Sequence, residues 1–125
     1  MLRPETETEP RTEDADDPST PPAVSSRQHT LAAPITVKGL GLLLGAPVEV
    51  TIEPAEPDHG IVFERNDLDP PVRIPALVEN VVPRGRRTTL KSGEATIETV
   101  EHCMSALAGL GIDNALIRIH GPELP

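Results

Sequence analysis

Short apolar runs separated by Gly- and Pro-containing stretches begin near residue 30 and continue through the rest of the chain. This pattern is typical of β-strands joined by turns, because Gly and Pro interrupt regular structure whereas Val and Ile favour the pleated backbone. It predicts strands over residues 30–38, 48–52 and 60–65. Residues 66–75 contain three prolines and are predicted to form a surface loop, followed by a further strand over residues 76–82.

A β-hairpin and a last strand are predicted in the second half of the chain. The hairpin pairs residues 87–91 with residues 94–99 around a turn at Ser92-Gly93, where glycine supplies the backbone freedom that a tight turn needs. Residues 114–120 alternate between two faces, as a half-buried strand does. The predicted inward face of this strand comprises Ala115, Ile117 and Ile119.

One segment between these strands has the periodicity of a helix. Apolar side chains recur about every 3.6 residues, with Thr99 as the predicted N-cap and Gly111 near the predicted end. The apolar face of this helix comprises Val100, Cys103, Met104, Leu107, Ala108 and Gly111. Several strands, one helix and a closing strand predict an α+β fold, in which a sheet is covered by a packed helix layer.

The first 27 residues differ in composition from the rest. They contain seven acidic residues, three arginines, five prolines and almost no large apolar side chain. Such a segment cannot bury enough surface to offset its ordering entropy, so residues 1–27 are predicted to form a disordered acidic tail. A partner-binding arm is the alternative. Residues 28–125 then form a single domain with 8 basic and 13 acidic residues, a net charge of −5.

The overall composition narrows the class of function. The formal charge of −9 and the isoelectric point near 4.8 argue against a nucleic-acid partner, because Lys and Arg supply most of the affinity for phosphates. Phe63 is the only aromatic residue besides the histidines, so an aromatic stacking platform is excluded. Cys103 is the only cysteine, and no stretch reaches the about 20 apolar residues of a transmembrane helix. These features predict a cytoplasmic protein without a transmembrane segment.

Glu101 and His102 are the first candidates for chemistry, because they lie in the first turn of the predicted helix. Unpaired N–H groups and the helix dipole favour an ionised glutamate and a neutral histidine there. Those are the forms that a general base and a metal ligand require. The same pair also fits a purely structural interpretation, in which Glu101 stabilises the helix start and His102 is a partly exposed polar residue.

The remaining candidates show no ligand spacing. A solvated position is predicted for each of His29, His59 and His120. Cys103 is predicted to be a small core residue. Residues 83–87, Pro-Arg-Gly-Arg-Arg, could contact a phosphate or form a solvated hairpin tip. The glycine-rich residues 39–45 suit a bulge or tight loop better than a phosphate cradle, since no Lys or Ser/Thr follows them.

Residues 99–114 are long and specific enough to suggest a family. Their sequence, Thr-Val-Glu-His-Cys-Met-Ser-Ala-Leu-Ala-Gly-Leu-Gly-Ile-Asp-Asn, closely resembles the Thr-Val-Glu-His helix of the UDP-3-O-acyl-N-acetylglucosamine deacetylases. These are the zinc amidases of lipid A biosynthesis. The resemblance covers about residues 28–125, and it is carried further by residues 39–41, 60–68, 88–90 and 122–125.

The resemblance implies roles for two residues. His102 matches a zinc ligand of the family, and Glu101 matches the general base that activates the attacking water. The family pairs two similar α+β domains and places the active site between them. The other zinc ligands of the family, and a further histidine that serves as the acid, belong to its second domain, which is not matched here. We therefore expect a truncated first domain that is inactive alone and needs a second domain in cis or in trans.

Two positions depart from the family pattern. Leu43 stands where the family usually has a histidine after the glycine-rich segment, and Arg87 is bulkier and more charged than expected beside a substrate. These departures leave open an alternative, in which the chain is a catalytically inactive remnant or an interaction domain with the same fold. The resemblance assigns neither substrate-binding residues nor an acyl-chain preference.

Overall fold

The structure is a computed structural model that describes residues 27–125, and the predicted acidic tail therefore lies, except for Arg27, outside the described residues. The described chain forms eight strands and one α-helix, with a 3₁₀ turn at Val78–Asn80. The helix, α1, spans Glu101–Gly109. The strands are β1 Ile35–Leu40, β2 Pro47–Pro54, β3 Ile61–Arg65, β4 Val72–Pro75, β5 Val81–Val82, β6 Thr89–Ser92, β7 Ala95–Glu98 and β8 Ala115–His120.

Five of the strands form one sheet in the order β1-β2-β8-β3-β4. Strand β8 lies at its centre, parallel to β3 and antiparallel to β2. Directly opposed residues share a face of a sheet, so the apolar positions line up across the strands. Ile117, for example, lies between Ile52 and Phe63. The predicted inward face of β8 is confirmed, since Ala115, Ile117 and Ile119 are fully buried.

A second layer covers the apolar face of this sheet. It consists of the three-stranded sheet β5-β6-β7 and helix α1. Leu90 and Ile97 of the small sheet and Leu107 of the helix belong to the same buried cluster as Phe63. The sheet-rich domain with one helix agrees with the predicted α+β class. Among the described residues, however, a single helix and a small sheet take the place of a layer of helices.

The opposite face of the large sheet is polar and charged. Arg118 on β8 lies 3.5 Å from Glu53 and 3.6 Å from Glu64. Arg73 donates a hydrogen bond of 2.8 Å to Glu64, and Lys38 lies 3.9 Å from Glu49. Opposite charges on neighbouring strands thus pair across this face, where Glu64 itself is only 8% exposed.

Three element predictions are wrong in detail. Residues 72–75 form strand β4 within the segment predicted as a loop, because Val72 and Ile74 alternate inward and pair with β3. The strand predicted over residues 76–82 is reduced to a 3₁₀ turn and the two-residue strand β5. The first strand begins at Ile35 rather than at residue 30.

Residues 28–30 instead form a strap that is tied to the start of β8. The buried Asn114 accepts a hydrogen bond from the N–H of Gly60 and donates one to Gln28 Oε1, each 2.8 Å long. The N–H of His29 donates to Asp113 Oδ2 at 2.8 Å, and the Thr30 hydroxyl donates to the carbonyl of Asn114 at 2.6 Å. The Asp113-Asn114 pair therefore serves to anchor the strap.

Candidate active site

The candidate site lies where β7 ends and α1 begins. Val100, between these two elements, is 2% exposed, and its N–H donates to the carbonyl of Thr88 at 3.2 Å. This buried residue and its backbone hydrogen bond hold the helix start against the segment that enters β6. Glu101 and His102 follow directly as the first two residues of the helix.

Thr99 does not cap the helix, contrary to the prediction. Val100 occupies the N-cap position and makes no side-chain cap hydrogen bond. Thr99 instead has a left-handed backbone conformation with φ 62°, which threonine rarely adopts, and it turns the chain sharply between strand and helix. Its buried hydroxyl faces Glu123 Oε2 at 3.4 Å.

Glu101 is held by the protein backbone. Its Oε2 accepts a hydrogen bond of 3.1 Å from the N–H of Thr88, and the side chain is half-buried. It is the acidic residue of the first helical turn, where the positive end of the helix dipole stabilises a carboxylate. The carboxylate thus has one oxygen occupied by a fixed donor.

His102 is exposed and is one of the residues that line an apolar groove. The groove has a volume of about 290 Å³ and runs between α1 and the inner faces of β1 and β2. Its walls include Ile35, Val37 and Leu110, which are 53%, 46% and 77% exposed. An exposed side chain that lines such a groove is accessible to a partner or a ligand.

The described residues do not bring a complete set of metal ligands together. Residues 27–125 contain no cluster of three or more His, Cys, Asp or Glu side chains that could hold a metal ion. His29 lies 3.7 Å from Asp113, His59 Nδ1 lies 3.0 Å from the Gly60 carbonyl oxygen, and the exposed His120 is near Asn66. His29 in the strap and His120 at the end of β8 are exposed, as predicted, whereas His59 is half-buried.

Arg87 is bound to its own hairpin. Its Nε donates a hydrogen bond of 2.7 Å to Glu98 Oε2, and the hydroxyl of Thr89 donates to the same oxygen at 2.5 Å. Burial acts to raise the pKa of Glu98, but the hydrogen bonds from Thr89 and Arg87 outweigh it and leave that pKa below its ordinary value. The guanidinium of Arg87 therefore faces Glu98 across the hairpin.

Cys103 is mostly buried and packs against the core cluster, which agrees with the interpretation as a small core residue. Burial raises the pKa of its thiol to about 11. At neutral pH such a thiol is protonated, and a protonated thiol is a poor nucleophile.

The segment after β8 contains residues that sequence reasoning missed. Glu123 forms a parallel bridge with Glu98, next to the site. Glu123 and Leu124 are only 2% and 4% exposed. The Gly-x-Gly spacing at residues 39–41 was an available signal, because it indicates that something approaches that backbone closely.

Comparisons with known proteins cover the same part of the chain. Residues 28–125 match the family model described as UDP-3-O-acyl N-acetylglycosamine deacetylase. A UDP-3-O-acyl-N-acetylglucosamine deacetylase of Cellvibrio japonicus (strain Ueda107) is 50% identical over 99 residues, which are 79% of this chain and 33% of the relative. The enzyme of the same name from Myxococcus xanthus (strain DK1622) is 50% identical over 101 residues, 81% of this chain and 32% of the relative.

This chain therefore spans about a third of the length of the curated relatives that it matches. The match includes the hairpin, the segment after β8 and α1, which carries Glu101 and His102. Because the family model covers residues 28–125, nearly four fifths of the sequence, the chain belongs to the UDP-3-O-acyl N-acetylglycosamine deacetylase family.

Proposed function

We propose that this chain contributes Glu101 and His102 to a zinc-dependent deacetylase site that hydrolyses the acetamide of UDP-3-O-acyl-N-acetylglucosamine in lipid A biosynthesis. Family membership supplies the substrate and the type of reaction. The observation that carries the residue assignment is the adjacent pair at the start of α1, with Glu101 held by the Thr88 N–H and His102 exposed.

Glu101 is the proposed general base. A base must hold its carboxylate in one place and keep an oxygen available for the proton of the attacking water. The Thr88 N–H fixes Oε2 at 3.1 Å, and the carboxylate lies in the first turn of α1. Glu101 would accept a proton as the water oxygen attacks the acetamide carbonyl. The C–N bond then breaks as a proton passes to the leaving nitrogen, and the amine and acetate are the products.

His102 is the proposed zinc ligand of this chain. Its imidazole is exposed and makes no hydrogen bond or ion pair with any other described residue, so its ring nitrogens fit a ligand position. The described residues do not fit a complete site, since a catalytic zinc site needs about three protein ligands. The other ligands must come from outside residues 27–125. A zinc ion in such a site supplies polarisation of the carbonyl group.

The groove beside α1 is the proposed contact surface for the second domain. Its lining is almost entirely apolar, and His102 is part of that lining. Burial of exposed apolar side chains such as Ile35, Val37 and Leu110 would favour association with another domain, in cis or in trans. We propose that the site assembles in the cytoplasm at this junction.

The alternative function is that of a catalytically inactive interaction domain with the same fold. The observation in its favour is Leu43, which stands where the family usually has a histidine and is 52% exposed. With Leu42 and Leu44 it forms an apolar tip at the turn between β1 and β2. A surface of this kind suits a protein contact better than proton transfer.

A chimera tests the two functions directly. Residues 28–125 of this chain replace the matching third of the Myxococcus xanthus relative, and acetate release from UDP-3-O-acyl-N-acetylglucosamine is measured with the relative as positive control. We expect an active chimera in which Glu101→Gln lowers kcat by roughly 100-fold or more. Glu94→Gln, in the exposed hairpin turn, is the matched control and should leave kcat unchanged.

Two results would refute the catalytic proposal. A folded chimera without activity, beside an active relative, would favour the interaction domain. An active chimera that tolerates Glu101→Gln would exclude Glu101 as the base.

A further inference from the structure

The carboxylate of Glu123 lies between two segments that are far apart in sequence. Its Oε1 accepts hydrogen bonds from the N–H groups of Leu43 and Leu44, at 2.8 and 3.2 Å. Its Oε2 faces the hydroxyl of Thr99 at 3.4 Å. One side chain therefore connects the turn between β1 and β2 with the sharp corner that leads into Glu101 and His102.

Backbone hydrogen bonds of the residues before and after Glu123 fix its position beside Glu98. The N–H of Glu98 donates to the carbonyl of Pro122 at 2.8 Å, and the N–H of Leu124 donates to the carbonyl of Glu98 at 3.2 Å. The residue is 2% exposed. A buried carboxylate without partners is strongly disfavoured, so these donors and the position of the carboxylate depend on one another.

The two glycines at residues 39 and 41 are explained by this segment. A Cβ at Gly41 would overlap Glu123 Oε1, and a Cβ at Gly39 would lie 2.7 Å from the Cβ of Pro125. Neither glycine has a positive φ, so the requirement is close approach and not an unusual backbone conformation. The Gly-x-Gly spacing thus makes room for the segment that carries Glu123.

The turn that Glu123 holds is closed and exposed. The N–H of Gly45 donates to the carbonyl of Gly41, and the N–H of Gly41 donates to the carbonyl of Ala46, both at 2.9 Å. Leu42, Leu43 and Leu44 at its tip are 74%, 52% and 59% exposed. An exposed turn has few packing contacts to fix its position. The two hydrogen bonds to the Glu123 carboxylate therefore help to hold the turn in place.

We propose that Glu123 is a positioning residue of the candidate site, which fixes the Leu42–Leu44 turn relative to the Thr99 corner from which Glu101 and His102 project. The description of this place as a catalytic site rests on the proposed function. The coupling between turn and corner does not, because it follows from the hydrogen bonds of one carboxylate. Glu123 would act through these two segments without touching the substrate.

Amide NMR spectroscopy of the ¹⁵N-labelled chain tests the coupling. Glu123→Gln keeps the shape but replaces charge-assisted hydrogen bonds with weaker neutral ones. We expect upfield amide proton shifts at Leu43 and Leu44, about tenfold faster hydrogen exchange at both, and accompanying shifts over residues 99–102. The matched control is Leu124→Val, which trims a buried side chain of the same segment and should lower stability without this pattern.

A second pair of variants keeps the test decisive if Glu123→Gln unfolds. Gly41→Ala should reproduce the shifts at Leu43 and Leu44 by displacing the carboxylate. It should have little further effect on a Glu123→Ala background, because the overlapping group is then absent. Additive effects of the two substitutions, or shifts at the turn with none at residues 99–102, would overturn the proposal.

Activity adds an independent readout. In the chimera described above, Glu123→Gln should lower kcat about tenfold with little change in KM, while Ile74→Val, which trims a fully buried side chain of β4 outside the groove, leaves both unchanged. If both variants lowered kcat by the same factor, the role of Glu123 would be merely structural. If the unsubstituted chimera is inactive, the proposed function fails, and the NMR experiment alone decides the role of Glu123.

Discussion

Removal of the Asn114 side chain should destabilise the domain strongly. Asn114 is 3% exposed, and its amide group joins the N–H of Gly60 to Gln28 Oε1 through two hydrogen bonds of 2.8 Å. In Asn114→Ala the half-buried Gly60 N–H loses its acceptor, which costs about 1–2 kcal/mol, and the exposed Gln28 loses a donor at a smaller cost. We expect a loss of about 2 kcal/mol and, for a domain of this size, a decrease in Tm of roughly 10 °C.

The neighbouring residue provides a matched control. Asp113 accepts a hydrogen bond of 2.8 Å from the N–H of His29, but its side chain is 52% exposed. Because water replaces an exposed partner, Asp113→Ala should cost less than about 0.5 kcal/mol. Urea unfolding followed by far-ultraviolet circular dichroism measures both, since the chain has neither Trp nor Tyr.

Equal costs for the two variants would refute this reasoning. They would show that burial does not decide how much each hydrogen bond of the strap contributes. A cost below about 0.5 kcal/mol for Asn114→Ala would show that the strap does not stabilise the domain.

Three further predictions concern the core, the pH dependence and the metal. Leu107→Ala should lower the free energy of unfolding by about 2–3 kcal/mol, because Leu107 is only 5% exposed. Leu110 is 77% exposed, and Leu110→Ala should change the free energy of unfolding by less than about 0.5 kcal/mol in the same urea experiment. The hydrogen bond from Arg65 lowers the pKa of Asp67. The ionised Asp67 side chain therefore contributes to the free energy of unfolding above the unfolded pKa near 3.8, and this contribution is lost as the pH falls through the folded pKa. Asp67→Asn should therefore destabilise the domain at pH 6 and converge with the unsubstituted protein near pH 2, and parallel stability curves between these pH values would contradict this. Isothermal titration of the chain with Zn²⁺ should show no tight one-to-one binding, and a submicromolar dissociation constant would contradict the assignment of His102 as the only ligand in residues 27–125.

The fold explains why Glu101 and His102 lie at a surface and not within a pocket of their own. Helix α1 buries Leu107 in the core, whereas His102 in its first turn is exposed and lines the groove. The hairpin β6-β7 supplies the Thr88 N–H on one side, and the segment of Glu123 supports the corner on the other. The start of α1 is thus held by two neighbouring segments of the domain.

Local sequence determined the elements whose signals are short in range. The turn at Ser92-Gly93 joins two strands as predicted, and Gly93 has the positive φ that the turn requires. The apolar spacing after residue 100 gave the helix, and the alternation after residue 114 gave the buried face of β8. The Glu101-His102 pair could be placed in the first helical turn for the same reason. Each of these features depends on residues that are close together in the sequence.

Only the tertiary structure decided the features that depend on distant partners. Strand β4 exists because β3 offers it a pairing edge, although its own segment is rich in proline. The local sequence predicts Thr99 as an N-cap, but its left-handed backbone conformation turns the hydroxyl toward Glu123. Glu123 itself looks like a solvated acid between two prolines, and it is buried because donors about 80 residues away satisfy its carboxylate. A periodic pattern carries information about which face of an element is apolar, whereas the partner of a single polar group is set by how the whole chain folds.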